Sequence, residues 1–195
     1  SIEEIAQSIP IKSDKEYILN ELKAKNLAPL IDDEKLPIIT RILGHLFGDG
    51  SLTFSEKKFK TNCTLVFSGR EKDLQKIAKD LEKLGFNSSK ITKWKKTSML
   101  SNGRIISGIS TRMDCYSKPL WILFKALGAV EGDKALRKGN VPEWIKSSRK
   151  LVKKEFLSAF FGSEMTKPSI DKRNGKIFLQ PAYSLNKAKN LEQNG

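Results

Sequence analysis

Two glycines spaced four residues apart in an apolar stretch constrain the fold of this chain more than any other feature. They are Gly44 and Gly48, within residues 42–50 (ILGHLFGDG), and Asp49 follows the second glycine. On a helix, residues four apart share one face, and glycines there let another backbone approach closely because they have no side chain. The sequence therefore predicts a buried helix that packs tightly against a second segment and ends in an acid.

A similar pattern returns at residues 157–165 (LSAFFGSEM). There Ala159 and Ser163 are the small residues four apart, and Glu164 takes the place of Asp49. If the two helices pack small face to small face, their ends bring the two carboxyl groups side by side. Paired carboxylates suit a divalent cation such as Mg²⁺. Considered singly, either acid is explained as well by a solvent-exposed position at a helix end.

Together the two segments resemble the paired motif of the LAGLIDADG family of DNA homing endonucleases. Residues 28–30 (APL) and 141–145 (VPEWI) are similar to segments of archaeal intein endonuclease domains, and the likeness spans roughly residues 28–170. The second motif departs from the family pattern, with Glu164 for the usual aspartate and Met165 for the final glycine. The resemblance implies an α+β fold, in which an αββαββα repeat carries an antiparallel, saddle-shaped sheet that binds DNA.

The resemblance also implies a site. Asp49 and Glu164 would bind Mg²⁺ with the backbone carbonyls of Gly48 and Ser163, and they would be the catalytic acids. Lys134 and Lys167 are the candidates for polarising the attacking water or stabilising the charged phosphorane. The alternative for both lysines is an ordinary surface position.

One other acid competes with Glu164 for the second place in the site. Residues 129–134 (AVEGDK) also end an apolar helix with an acid and a glycine. Glu131 ranks below Glu164 because Lys125 stands in its helix where a small residue is needed. His45 is the single histidine, so chemistry based on histidine or zinc is not expected, and His45 is predicted to pack or hydrogen-bond locally.

Charge indicates the partner. The 195 residues include 36 Lys and Arg against 22 Asp and Glu, a formal net charge of +14. A polyanion is therefore expected, double-stranded DNA before an anionic membrane surface. No apolar run approaches the ~20 residues of a membrane helix, which predicts a cytoplasmic protein without a membrane partner. Cys63 and Cys115 are too few for a disulfide framework and are expected in the core.

Periodicity and turn signals predict an αββαββα order independently of the resemblance. The predicted domains are an N-terminal helical extension (1–37), a first repeat with its linker (38–150) and the start of a second, incomplete repeat (151–195). Too few residues follow Glu164 for a second full repeat. We therefore expect a fragment, with a pseudo-symmetric monomer if complete and a possible dimer if the fragment is the functional unit. The predicted elements are helix 37–48, strands 51–54 and 61–68, helix 71–84, strands 90–97 and 104–111, helix 117–127, and a helix from 151 followed by a hairpin turning at 173–176.

Basic side chains follow the predicted strands and are the candidate DNA contacts. Alternation along a strand places Lys93 and Lys95 on one face and predicts that Trp94 points to the core. The alternative is a solvated strand face. The candidates are Lys57, Lys58, Lys60, Arg70, Lys93, Lys95, Lys96, Arg104 and Arg112.

These observations favour a site-specific, Mg²⁺-dependent double-strand DNA endonuclease with a homing role. Self-splicing is not expected, because the chain has neither an N-terminal cysteine nor a C-terminal His-Asn pair. The first alternative is a catalytically inactive nucleic-acid-binding protein of LAGLIDADG fold, such as a transcription regulator or an intron maturase. A second alternative is a basic structural or RNA-binding domain.

Overall fold

A computed structural model describes residues 15–57, 60–99, 103–136, 140–171 and 177–183 of the chain. Helices and antiparallel strands alternate in it, so the predicted α+β class is confirmed. In chain order, the elements are α1 (Lys15–Ala24), α2 (Leu36–Phe47), β1 (Gly50–Lys57), β2 (Lys60–Ser68), α3 (Glu71–Lys83), β3 (Thr92–Met99), β4 (Ile105–Tyr116), α4 (Lys118–Ala126), a 3₁₀ turn (Lys134–Leu136), α5 (Glu143–Ser147), α6 (Lys150–Glu164), β5 (Ser169–Asp171) and β6 (Ile177–Leu179).

The order from α2 to α4 is the predicted one, and local chemistry explains several of its boundaries. Pro37 lies in the first turn of α2, where its missing N–H removes no helical hydrogen bond. The Ser117 hydroxyl caps α4 by accepting from the Leu120 N–H at 3.2 Å. Strand β4 is longer than predicted and continues to Tyr116.

The region after α4 differs from the prediction in one respect. Within the predicted linker that ends at residue 150, the structure adds two short elements between α4 and α6, the 3₁₀ turn and the helix α5. The predicted last hairpin is supported by β5 and β6, which pair antiparallel. Its turn at 173–176 lies outside the described residues, as do residues 1–14 of the predicted helical extension and the segment from Leu185 onward.

The sheet separates a buried face from an open one. Its strand order is β1-β2-β4-β3 with antiparallel neighbours throughout. In the register, Leu52 lies opposite Leu65, and Leu65 opposite Cys115. All three are buried, and they belong to one core with side chains from α2, α3 and α4. Cys63 and Cys115 are both buried free thiols, as expected.

The β3–β4 hairpin extends past this core. Trp94, Ile105 and Ile109 are all exposed, and β3 has no fully buried residue. The prediction that Trp94 points into the core is therefore wrong, with 45% of its surface exposed. Alternation correctly separates Trp94 from Lys93 and Lys95, but the register with β4 puts the two lysines on the core-side face and Trp94 on the open face.

Among the described residues, no helix is both long and apolar enough to cross a bilayer.

Arg41 connects three helices through its guanidinium. Its Nε and Nη2 donate to the Asp80 carboxylate of α3 at 2.7 and 2.8 Å, and its Nη1 donates to Glu155 of α6 at 2.5 Å. The hydrogen bond to Asp80 is the largest cause of the raised Arg41 pKa. Asp80 is 4% exposed, so its charge depends on Arg41 for compensation.

We expect Arg41→Met to lower the free energy of unfolding by roughly 2 kcal/mol, because it leaves the Asp80 carboxylate buried and unpaired. Chemical denaturation monitored by circular dichroism measures the change. The matched control is Lys146→Met, which removes the exposed pair with Glu143 and should cost less than about 0.5 kcal/mol. Equal effects of the two substitutions would contradict this role of Arg41.

Candidate active site

Helices α2 and α6 approach each other closely at Gly44 and Gly48. A Cβ placed on Gly44 would lie 2.3 Å from the Phe156 backbone carbonyl oxygen. A Cβ placed on Gly48 would lie 2.5 Å from the Ser163 Cβ. Such separations are well inside van der Waals contact, so no other residue fits at either glycine without moving the helices. The predicted packing of small face against small face is confirmed.

The contact of Gly44 and Gly48 with α6, called the seam below, brings Asp49 and Glu164 into one electrostatic environment. Asp49 directly follows α2, and Glu164 is the last residue of α6. Desolvation is the main cause of the raised pKa of Glu164, and the negative charge of Asp49 raises that pKa further. Desolvation likewise raises the pKa of Asp49, against opposing effects of His45, Lys134 and Arg70.

Glu131, the competing acid, lies elsewhere. Its carboxylate pairs with Lys125 of α4, and its backbone bridges Leu52 of β1. The structure therefore brings Glu164, and not Glu131, together with Asp49.

Lys134 reaches the same point from the connection after α4. Its Nζ donates to the backbone carbonyls of Leu46 and Phe47, each at 3.2 Å, and to that of Gly48. An ammonium at the C-terminal end of a helix interacts favourably with the helix dipole and satisfies open carbonyls. Lys134 also lowers the pKa of both Asp49 and Glu164. The structure thus places this candidate lysine at the two acids.

His45 links the motif helices to the sheet, a role that the sequence did not reveal. Its Nε2 lies 3.0 Å from the Ser68 carbonyl oxygen, and its Nδ1 lies 3.2 Å from the Ser163 Oγ. Burial lowers the pKa of His45 and so favours the neutral ring. A neutral ring can then donate from Nε2 to the Ser68 carbonyl. The His45 Nδ1 and the Ala159 carbonyl, which is 3.1 Å from the Ser163 Oγ, are then two acceptors for the single proton of the Ser163 hydroxyl. Ser68 in turn donates its backbone N–H to the Asp49 carbonyl at 3.3 Å.

A groove of about 1290 Å³ opens beside Asp49. Its walls include Asp49 and Ser163 from the seam, and Trp94 and Lys96 from β3. Lys167 is exposed on the wall of this groove.

The remaining candidate DNA contacts divide between the two faces of the sheet. Lys93 lies opposite Thr111, two residues from buried Met113, so it shares the core-side face, where it pairs with Glu71 of α3 at 2.8 Å. Lys95 is two residues further along β3 and therefore lies on the same face as Lys93. Lys96 and Arg112 lie on the opposite face by the same alternation.

Of the other five candidates, four have described positions. Arg70 is at the start of α3, where its Nε donates to Asp73 at 2.9 Å, and Arg104 is exposed just before β4. Lys57 and Lys60 are paired at the ends of β1 and β2. Lys58 lies outside the described residues.

The donor chemistry at the seam suits a divalent cation. Two carboxylates offer hard oxygen ligands, and each would lose its like-charge repulsion on binding the cation. Over the described ranges, no group of three His, Cys, Asp or Glu side chains is placed to hold a metal. A cation there would therefore need other ligands, such as backbone carbonyls. Of these, the Gly48 carbonyl is hydrogen-bonded to Lys134.

We expect Gly44→Ala to lower the free energy of unfolding by about 2 kcal/mol or more, because the new methyl group pushes α6 away from α2. Gly162→Ala is the matched control in α6, since a Cβ there meets open space. It should raise stability by about 0.5–1 kcal/mol, as alanine is the better helix former. Thermal and chemical unfolding measure both changes, and a neutral Gly44→Ala would show that the seam is not tight.

We expect Lys134→Met to bind Mn²⁺ about tenfold more tightly, because it frees the Gly48 carbonyl and removes a positive charge beside two carboxylates. The same substitution should lower stability by about 1 kcal/mol through loss of the helix cap. Isothermal titration calorimetry and thermal unfolding measure the two effects.

The control for charge alone is Arg70→Met, because Arg70 also acts on the Asp49 pKa. It should change Mn²⁺ affinity less than Lys134→Met does. Weaker Mn²⁺ binding by Lys134→Met would show that Lys134 supports the cation site instead of competing for it.

Comparison with known proteins finds similar segments in archaeal proteins of different kinds. The DNA-directed RNA polymerase subunit Rpo1N of Methanocaldococcus jannaschii is 41% identical over 182 residues, which cover 91% of this chain and 13% of that protein. The replication factor C small subunit of the same organism is 37% identical over 143 residues, covering 73% and 7%. The tRNA-splicing ligase RtcB of Pyrococcus furiosus is 31% identical over 150 residues, covering 75% and 15%. The chain thus spans at most 15% of the length of these three relatives.

Among solved structures, the homing endonuclease I-WcaI bound to its DNA recognition sequence aligns with a TM-score of 0.46 and 13% identity. The alignment covers 88% of this chain and 67% of that one. No family profile matches the sequence.

Proposed function

We propose that this chain is a site-specific DNA endonuclease of the LAGLIDADG type that cuts both strands of a duplex with the help of Mg²⁺. The observation that supports this most is the meeting of Asp49 and Glu164 at the ends of two helices packed through Gly44 and Gly48. Carboxylates at helix C-terminal ends oppose the helix dipole, so their placement here needs a compensating cation.

In this proposal, Asp49 and Glu164 hold Mg²⁺, and the carbonyls of Gly48 and Ser163 are further ligands suggested by the family resemblance. Bound Mg²⁺ would supply an activated water, neutralise charge on the phosphate and assist the leaving 3′ oxygen. Lys134 places a positive charge beside both carboxyls, where it would interact with the phosphate. Lys167 contributes a second cation from the wall of the groove.

The DNA partner follows from charge and from the sheet. A net charge of +14 favours a polyanion. The open face of the sheet carries Lys96 and Arg112, and a two-stranded ribbon such as β3–β4 fits the major groove. Arg70, whose charge acts on the Asp49 pKa, would contact a phosphate close to the cut.

The relatives support a homing role. Their names denote an RNA polymerase subunit, a replication factor and an RNA ligase, and the match covers at most 15% of each. A segment common to proteins of such different function is explained better by insertion into each than by a shared activity. An endonuclease that cuts at its own insertion site provides a mechanism for such spread, as the resemblance to intein endonuclease domains implies.

The alternative is a protein that binds DNA without cutting it. Glu164 and Met165, which depart from the family pattern, favour this alternative. Such a protein would bind DNA through the sheet and its basic residues and would not need the two acids.

Asp49→Asn should abolish cutting and retain DNA binding. The probe is a supercoiled plasmid pool with randomised inserts, incubated with Mg²⁺, and sequencing of the cut ends measures the activity. We expect wild-type protein to linearise a subset of the pool and Asp49→Asn to reduce cutting at least about 100-fold. Glu164→Gln should behave similarly.

Glu131→Gln is the matched control, because it makes the same chemical change at an acid away from the seam, and its cutting should be unaffected. Wild-type protein that binds a selected sequence but cuts none with Mg²⁺ or Mn²⁺ would support the inactive binder instead.

A further inference from the structure

Three polar side chains alternate along β4 on the face of the sheet that points away from the core. They are Arg112, Asp114 and Tyr116, and the residues between them, Met113 and Cys115, are buried. In the register, Arg112 lies opposite Ser68 of β2 and Thr92 of β3. The three side chains therefore occupy one row near the middle of the open face.

Asp114 holds the other two side chains. Its Oδ1 accepts from the Arg112 Nε at 2.7 Å, and its Oδ2 accepts from the Tyr116 hydroxyl at 3.1 Å. These hydrogen bonds raise the pKa of Arg112 and of Tyr116. The side chains of Arg112 and Asp114 are 44% and 14% exposed, so the guanidinium is open to solvent while the carboxylate beneath it is nearly covered.

The backbone of Asp114 is fixed as well. Its N–H donates to the Ser89 Oγ at 2.9 Å, and its carbonyl accepts from the Ser89 N–H at 2.7 Å. The carboxylate thus stands on a backbone whose N–H and carbonyl are both held by Ser89. An arginine oriented by such a partner loses less conformational entropy on binding than a free surface arginine.

The geometry of the guanidinium then decides what it can recognise. With Nε bonded to Asp114, the end of the group presents the parallel N–H donors of Nη1 and Nη2. That fork matches the O6 and N7 acceptors of guanine in the major groove. A lysine such as Lys96 supplies a point charge without this directionality.

The position of Arg112 places such a contact close to the acids. Ser68, its neighbour on β2, donates its backbone N–H to the Asp49 carbonyl at 3.3 Å. A base read at Arg112 would therefore lie near the cut phosphate, and not at the far end of the β3–β4 hairpin.

We propose that Arg112, oriented by Asp114 and supported by Tyr116, reads a guanine in the major groove close to the cut and determines specificity at that base pair. The inference rests on the proposed function for its DNA partner. To the proposed function it adds the identity of one recognised base, guanine, and the residues that recognise it, Arg112 with Asp114 and Tyr116.

The test is selection of sequences from a randomised duplex library by the complete chain, in Ca²⁺ so that cutting does not remove bound DNA. Wild-type protein should enrich a site with a strongly preferred G·C pair. Arg112→Lys keeps the charge and removes the fork. It should therefore lower the preference for guanine at that one position about tenfold or more and leave the other positions unchanged.

Two variants separate base reading from general attraction. Asp114→Asn keeps the shape and weakens the support, so it should reduce the same guanine preference with Arg112 present. Lys96→Gln should instead weaken binding to all sequences alike and reduce the salt dependence. Equal melting temperatures for the variants and wild type exclude unfolding as the cause.

The outcomes distinguish this inference from the proposed function. An enriched site whose guanine preference survives both Arg112→Lys and Asp114→Asn overturns the reading by Arg112 and leaves the endonuclease proposal intact. A wild-type protein that enriches no sequence overturns both.

Discussion

The direct contact between the backbones of α2 and α6 is the constraint on which the rest of the structure depends. Gly44 leaves room for the α6 backbone and Gly48 for the Ser163 side chain, so the two helix axes come closer than larger side chains would allow. Because α2 leads directly into β1 and α6 ends at Glu164, this one seam fixes the position of the sheet relative to the second acid. A larger residue in the seam would move the acids apart as well as weaken the core.

The charges around the seam form two layers with different roles. Arg41 lies within the helix layer, and its two carboxylate partners, Asp80 and Glu155, compensate its charge. At the ends of the helices the numbers are the same, since Asp49 and Glu164 share Lys134 as the cation that acts on both. The inner layer stabilises the fold through direct hydrogen bonds from Arg41 to both of its carboxylates, whereas in our proposal the outer layer leaves negative charge for a cation to neutralise. Lys134 links the two roles, because it caps α2 through the carbonyls at its end and also acts on both motif acids.

The sequence predicted the parts of this arrangement that follow from local pattern. The small residues of both motifs and the acids after them were sufficient to predict the seam, and Lys125 was sufficient to rank Glu131 below Glu164. The bridge made by His45 was missed, because its partners Ser68 and Ser163 come from distant segments and nothing in the local pattern pairs them. Trp94 was assigned to the wrong face for a related reason, since the face of β3 that points to the core is set by its register with β4, whose Met113 and Cys115 are buried.

The register of β4 depends on the core, and it determines which face of the sheet carries Arg112, the residue proposed to set specificity. Met113 and Cys115 are buried opposite Phe67 and Leu65, and this burial forces Arg112 and its neighbours to the open face. A slip of one residue would bury the guanidinium and expose the core side chains, which makes the alternative register far less stable. The apolar residues between the polar ones therefore do more than fill the interior. They determine which side chains of the strand face a ligand. They also place Arg112 beside Ser68 of β2, whose backbone N–H donates to the Asp49 carbonyl.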